Sequence, residues 1–357
     1  MFKHLDCPII ILTVLIFAIG ILFQYSVSYQ KDVSALNNPA LKQLVWVLIA
    51  FCVFVLVLKV GYRKIIAVSY PLYGLILILL VAVLFLGRQR LGAQRWLEVG
   101  PFNVQPSEFT KLSLILMLAY YLGRRHDRVL RIRSFLMPFF LTAIPAVLIL
   151  KQPDLGTAMV LFPILFSMLF IYGTELKYIA GFFLLGVASL PIFWHMLRAY
   201  QRQRLLVFIN PNMDPLGAGY TIIQSKIAVG SGRLFGKGWL SGTQNYLNFL
   251  PERHTDFIFS VVGEEWGFIG SMILLTLYFL LIRRMLHILD MTENIYGRLL
   301  IAGIATMLFF QVVINIGMTI GFFPVVGITL PLISYGGSSL LTTFIGIAIV
   351  LSVHQWR

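Results

Sequence analysis

The sequence predicts an all-α polytopic membrane protein: about ten transmembrane helices, N and C termini cytoplasmic, and one long structured extracytoplasmic loop between helices 7 and 8. Three observations carry this reading. The 357-residue chain is 59% hydrophobic and only 12% charged, too few polar side chains to cover a water-soluble globule. Its apolar residues fall into runs of roughly 20, the length that crosses a bilayer core. Its cations are partitioned unequally between alternate loops.

The runs lie near 8–29, 41–60, 66–87, 107–123, 134–151, 156–173, 178–197, 257–282, 299–322 and 338–354. In lipid, unpaired backbone groups are so costly that only helices or closed barrels span, and the chain reads as one membrane domain over residues 1–357. The first run is too long for a signal-peptide core and lacks a small-x-small cleavage site, so it is expected to remain as an anchor. Cys7 and Cys52, the two cysteines, imply neither a disulfide framework nor a metal cluster.

The formal net charge of +14 reports topology rather than a nucleic-acid partner. With both termini inside, the inner loops collect Lys3, Lys59, Arg63, Lys64, Arg124, Arg125, Arg128, Arg131, Arg133, Lys177, Arg283, Arg284, Arg298 and Arg357. The short outer loops hold Lys31, Lys42, Arg88, Arg90 and Arg95, as the positive-inside rule requires. The remaining loop, about 198–256, is long, lies outside, and is where chemistry is expected.

That loop mixes turn signals (NPN, DPLGAG) with a helix-period segment, TIIQSKIAV. It reads as a folded cap with one amphipathic helix around 218–229. Its glycine cluster, GSGRLFGKG (230–238), fails the Walker spacing because Ser231 and Gly238 stand where Gly and Ser or Thr are needed. The glycines then serve turns or, as a weaker reading, present backbone amides to a lipid pyrophosphate.

Polar residues also appear where lipid should forbid them. Ser107 is placed to cap the fourth helix, and Glu108 and Lys111 share one helical face. Left alone at mid-bilayer each charge would cost roughly 2.5–3.5 kcal/mol, so the two must pair or face a wet cavity. Asp154 is placed either to cap the sixth helix or to act in chemistry. In GFFPVVGITLPLISYGGSS (321–339), prolines and glycines interrupt an apolar run, and such backbone must line a cavity or be covered by protein. Finally, LPERHTDFIFSVVGEEWG (250–267) crowds four of the chain's 14 acidic residues into one stretch. Asp256 sits at a helix start, either as an N-cap or as a reactive carboxylate. Glu264 and Glu265, about 12–13 Å further on, are expected inside the bilayer, tying helices together.

Several blocks in order make the sequence similar to one family. GAQRW (92–96), QPSE (105–108), QPDLGT (152–157), DPLGAGY (214–220), IIQSKIAVGSG (222–232), LPERHTDFIF (250–259) and PLISYGGSS (331–339) resemble the SEDS proteins (shape, elongation, division and sporulation), polytopic peptidoglycan glycosyltransferases. YQRQRLLVFINP (200–211) is more like the rod-shape (RodA) branch than the division (FtsW) branch. The resemblance implies a ten-helix enzyme of the bacterial cytoplasmic membrane that polymerises lipid II on the outer face during cell elongation and releases undecaprenyl pyrophosphate. It implies a class B penicillin-binding protein as transpeptidase partner, alongside other elongation-complex membrane proteins, and no nucleic acid. Carried over by motif, the essential carboxylate falls on Asp256, and polar-cavity positions fall on Glu108, Lys111 and Asp154.

The expected chemistry is inverting glycosyl transfer, with Asp256 taking the proton of an acceptor sugar hydroxyl. Pyrophosphate leaves without a proton but needs positive charge. Arg95, Lys111, Arg202, Arg204 and Arg253 are the cations expected to supply it, with a divalent Mg or Mn ion as an optional cofactor. Lys237, Ser334 and Tyr335 complete the expected cavity lining. Two other readings remain open: a flippase that moves the lipid-linked precursor through the Glu108–Lys111 region, and a non-catalytic scaffold of the elongation complex.

Overall fold

The computed structural model describes residues 5–29, 39–90, 93–100, 102–125, 132–188, 191, 194–195, 199–215, 217, 219–247 and 249–356. Among these residues ten membrane helices stand at the predicted places, and a short helix, α3 (Tyr62–Ala67), follows the second of them. The ten are α1 (Cys7–Ser28), α2 (Pro39–Val60), α4 (Ser69–Leu86), α5 (Pro106–Gly123), α6 (Ile132–Lys151), α7 (Leu155–Tyr172), α8 (Leu176–Ala188), α12 (Ile258–Asp290), α13 (Ile295–Thr319) and α14 (Gly337–Gln355). Six of these (α1, α4, α7, α12, α13, α14) are long and apolar enough to cross a membrane by length and composition alone, and α2, α6 and α8 contain shorter apolar stretches. In α5 the first turns carry Glu108 and Lys111. The seventh helix is described over Leu176–Ala188, residues 191 and 194–195 beyond it are helical too, and the rest of the predicted stretch to 197 lies outside the described residues.

Local sequence explains the helix ends. Asp6 caps α1 by accepting the Ile9 amide at 3.1 Å, with Pro8 in the first turn. Asn294 caps α13 through the Tyr296 amide at 2.9 Å. Gly173 closes α7 in the left-handed conformation.

The bundle has a protein-buried centre and a lipid-facing rim. Over their apolar windows α13 and α14 are 78% buried and α7 50%, against 28% for α4 and 33% for α1, so α13 and α14 are the spine on which the others pack. Opposite ends of the molecule are marked by side-chain contacts. At one end Asp6 meets Arg284, Tyr62 N donates to Ser352 Oγ, and Gly123 abuts Tyr296. At the other, Ser26 donates to Glu265, and the loops containing Asp256 and Ser334 meet. The first end carries the start of α1 and the end of α14, and the second carries the long loop.

One feature of the loop face was not legible beforehand. Residues 88–104 form a three-stranded antiparallel sheet, β1 (Arg88–Arg90), β2 (Ala93–Val99) and β3 (Phe102–Val104), in the order β1-β2-β3. The long loop is indeed folded. It contains α9 (Ala199–Ile209), a 3-10 turn at Pro211–Met213, α10 (Tyr220–Ser231) where the amphipathic helix was predicted, and a single turn, α11 (Thr243–Tyr246). The helix α10 is fastened to the bundle through Ser225, whose hydroxyl bonds Ser260 Oγ at 2.7 Å and the Thr319 carbonyl at 2.6 Å.

The glycine cluster has a structural task. At Gly267 (φ 64, ψ −158) α12 is broken, and the chain from Arg233 to Gly238 supplies the hydrogen bonds the helix loses. Lys237 N donates to Glu264 O and Gly238 N to Glu265 O, each at 3.0 Å, while Phe268 N donates to Arg233 O at 2.8 Å and Ile269 N to Leu234 O at 3.1 Å. The backbones approach so closely that a Cβ on Gly236 would lie 2.1 Å from Glu265 O, so only glycine fits. With the amides of Gly236, Lys237 and Gly238 donated to protein carbonyls, they are not a cradle for pyrophosphate.

Candidate functional site

The site is built where four loop segments of the same face meet: β2, the turn before α7, the turn before α12, and the irregular stretch between α13 and α14. Asp256 lies in the third of these. It is not the N-cap residue of α12. The N-cap position is Phe257, which makes no side-chain cap bond, and the Asp256 side chain is half-buried. Its backbone is pinned instead. Asn315 Nδ2, from within α13, donates to the Asp256 carbonyl at 2.9 Å and to the Ile328 carbonyl at 2.6 Å. Ser334 Oγ donates to the Thr255 carbonyl at 2.6 Å, and Tyr335 N to the His254 carbonyl at 2.8 Å. Three successive carbonyls, of His254, Thr255 and Asp256, are thus held by donors from α13 and the stretch after it, and the carboxylate is presented from a fixed backbone.

Arg95 is the cation brought to it. From β2, its Nε donates to the Gln152 carbonyl at 3.3 Å, Nη2 donates to the Pro153 carbonyl, and Nη1 stands 3.7 Å from Asp154 Oδ1. The same Nη1 and Asp256 Oδ2 both border Gly327, at 3.7 and 3.2 Å from where a Cβ would stand. Arg95 therefore spans two aspartates: one anchors it, and the other shares an edge of the site with it.

Asp154 is the anchor. It is fully buried and caps α7 through the Thr157 amide at 3.2 Å, one of the two roles read from its position. Thr157 Oγ1, Ser107 Oγ and Gln105 Nε2 also donate to it, at 2.9, 3.0 and 3.2 Å. This corrects two expectations. Asp154 is enclosed by donors rather than lining an open cavity, and Ser107 is spent on Asp154 rather than capping α5, whose N-cap is Gln105.

Glu108 and Lys111 pair at 2.8 Å and are both buried, so the charges that lipid would penalise neutralise each other inside the bundle. Lys237, expected to line a cavity, borders one with residues 231–236, away from Asp256, and is bound to buried Glu264 at 2.7 Å, which also accepts Thr243 Oγ1 and Gln244 N. Glu264 and Glu265 do tie elements together, but near the loop-side ends of the helices: Glu265 meets Ser26, close to the end of α1. Arg202 donates to the His195 carbonyl at 2.6 Å, a local contact beside α9. The side chain of Arg204 lies outside the described residues. Arg253 is buried, and burial pushes its guanidinium below its ordinary value. Ser334 is likewise buried and acts through its hydrogen bonds, while the half-buried Tyr335 places its ring 6.0 Å from that of His254, and burial pushes its phenol up.

Sequence reasoning overlooked Asn315 and Gly327. Asn315 had a signal, a side-chain amide one turn after Gln311 within the apolar run QVVINIGMT. Gly327 had none beyond its place in an interrupted stretch.

A family model described as cell cycle protein, covering FtsW, RodA and SpoVE, matches residues 7–357. The chain belongs to the FtsW/RodA/SpoVE family. Within the family it is 47% identical over 287 residues to the peptidoglycan glycosyltransferase MrdB of Escherichia coli (strain K12), covering 80% of this chain and 77% of that one. It is 35% identical to the peptidoglycan glycosyltransferase RodA of Treponema pallidum, covering 94% of each. Among solved structures it is similar to a peptidoglycan synthase complex studied for its coordination of polymerization and crosslinking (TM-score 0.85, 35% identity, 99% of each chain). The rod shape determining protein RodA of Thermus thermophilus is another FtsW/RodA/SpoVE structure of this kind (TM-score 0.75, 33% identity, 100% of this chain and 98% of that one).

Proposed function

We infer that the protein is a peptidoglycan glycosyltransferase that joins lipid II units into glycan strands at the face carrying the long loop, with Asp256 as general base. The observation that carries this is the half-buried Asp256 carboxylate sharing the edge of Gly327 with Arg95. A sugar hydroxyl is a poor nucleophile at neutral pH, and a carboxylate that takes its proton in the transition state typically contributes ~10²–10⁴-fold. Asp256 takes that proton as the acceptor oxygen bonds to the anomeric carbon of the donor. The bond from that carbon to the lipid pyrophosphate breaks on the opposite side, and the configuration inverts. The departing pyrophosphate needs positive charge rather than a proton, and Arg95, held by Asp154 and the carbonyls of residues 152 and 153, is oriented to provide it.

Mg or Mn would find Asp256 and the substrate phosphates as ligands, as such ions often do. Among the described residues no group of three or more His, Cys, Asp or Glu side chains is arranged to hold a metal.

The distribution of buried charge favours this reading over a flippase. Among the described residues, Glu108, Lys111, Asp154, Arg253, Glu264 and Glu265 all lie toward the loop face, and Asp6 is the buried charge at the opposite end. A transport path needs polar groups through the full depth. Membership of a synthase assembly follows the resemblance to the solved complex, and its partner here is a class B penicillin-binding protein in a bacterial cytoplasmic membrane. The test is lipid II polymerisation by the purified protein with that partner in detergent, where flipping has no meaning. Glycan chains from the wild type and none from Asp256→Asn are expected; equal chains from both would overturn the role of Asp256, and none from either would overturn the enzyme.

A further inference from the structure

The stretch between α13 and α14 places Gly327 with φ +70 directly against the site, although nothing in its chemistry marks it as functional. Apart from its own chain neighbours, the atoms within 4 Å of a Cβ built there are two: Asp256 Oδ2 at 3.2 Å and Arg95 Nη1 at 3.7 Å. The first distance is shorter than ordinary carbon–oxygen contact, and the second is ordinary contact. A group lying against this bare face therefore meets the base and the cation together, and nothing else.

We propose that Gly327 is a positioning residue of the reaction: its missing side chain leaves the approach by which the acceptor hydroxyl reaches Asp256, and sets how close that carboxylate lies to Arg95. This rests on the glycosyltransferase reading. The neighbours cannot absorb an added methyl by shifting backbone. Asn315 binds the carbonyls of Asp256 and Ile328 together, and Ser334 and Tyr335 hold the two residues before Asp256. Arg95 is held by the carbonyls of residues 152 and 153 and by Asp154. What yields is the Asp256 side chain, which turns out of line with the incoming oxygen. Misplacing a reacting group by even 1 Å costs up to about 10²-fold in rate.

The test compares Gly327→Ala with Gly173→Ala, in the full chain with its transpeptidase partner. Gly173 also has positive φ (+101) but nothing within 4 Å of its Cβ position and lies at the opposite end of α7, so it reports backbone strain alone. For Gly327→Ala, kcat is expected to fall about 10–100-fold with KM for lipid II within about two-fold and thermal unfolding like that of Gly173→Ala. If Gly327→Ala does not fold, Gly327→Asn takes its place, since Asn tolerates the left-handed region and still carries a Cβ. Equal kcat for the 327 and 173 variants overturns the proposal, as does a loss confined to KM or matched by lost folded protein. Wild-type protein that makes no glycan would defeat the glycosyltransferase reading instead, so the two failures are distinct.

Discussion

Asn315 joins two segments that are far apart in sequence: its amide nitrogen lies 2.9 Å from the Asp256 carbonyl and 2.6 Å from that of Ile328. Replacing it with Ala leaves two carbonyls without their donor at a buried position, at a cost of about 1–3 kcal/mol. Asn315→Ala is expected to lower both the unfolding temperature in detergent and kcat, because the turn carrying Asp256 loses its registration to Gly327. Asn315→Gln, which keeps the donor on a longer arm, should recover part of the stability and little of the kcat.

The N-cap position of α12 is Phe257 and not Asp256, so Asp256→Asn tests chemistry separately from folding. Glycan synthesis should fall by ~10²-fold or more, while thermal unfolding stays that of the wild type. A fall in unfolding temperature parallel to the loss of activity would assign Asp256 a structural role.

Lys237 neutralises a carboxylate that is almost completely buried. Lys237→Met strands Glu264, and since the lysine itself is about a quarter exposed, the expected loss is below the ~3–5 kcal/mol of a wholly buried pair. Adding Glu264→Gln should restore most of the unfolding temperature. KM for lipid II is expected to be unchanged in the folded fraction, in contrast to a cavity-lining lysine.

For Glu108 and Lys111 the expectation is sharper, since both are buried. Lys111→Met alone should destabilise by roughly 3–5 kcal/mol, whereas Glu108→Gln with Lys111→Met should be near neutral. Chemical unfolding checks the pair. A double variant that is stable but unable to move lipid II across proteoliposomes, where the wild type does, would instead support the transport reading.

At the other face, burial alone would push the Asp6 carboxyl up, but the Arg284 guanidinium, at 2.6 and 3.0 Å, and the Ile9 amide outweigh it and hold it below its usual value of 3.8. A carboxyl depressed in the folded state contributes stability above its unfolded pKa, and the contribution disappears as pH falls through the folded value. The unfolding temperature of the wild type should therefore drop below about pH 4, and Asp6→Asn should remove that part of the slope.

The bundle was legible because the bilayer imposes a length and a polarity on each spanning segment, and α4, α7, α13 and α14 carry little else. The sheet at 88–104 was missed because its short strands are only intermittently apolar and pair locally. At the site, Asp256 stood out as a carboxylate at a helix start and Arg95 as a cation in an outer loop. Asp154 was read as cavity lining because a charge in an apolar chain looks the same in sequence whether it faces water or another side chain.

By itself, the sequence determined the number and order of the membrane helices, the face that carries the long loop, and the residue types available for the chemistry, because these follow from hydropathy, charge and motif spacing along the chain. Tertiary structure decided which charges are consumed by one another, that α12 breaks at Gly267 to accept the glycine-rich segment, and that Asp256 and Arg95 meet at Gly327. Those outcomes depend on close approaches between residues separated by tens to hundreds of positions, and no local pattern encodes such distances.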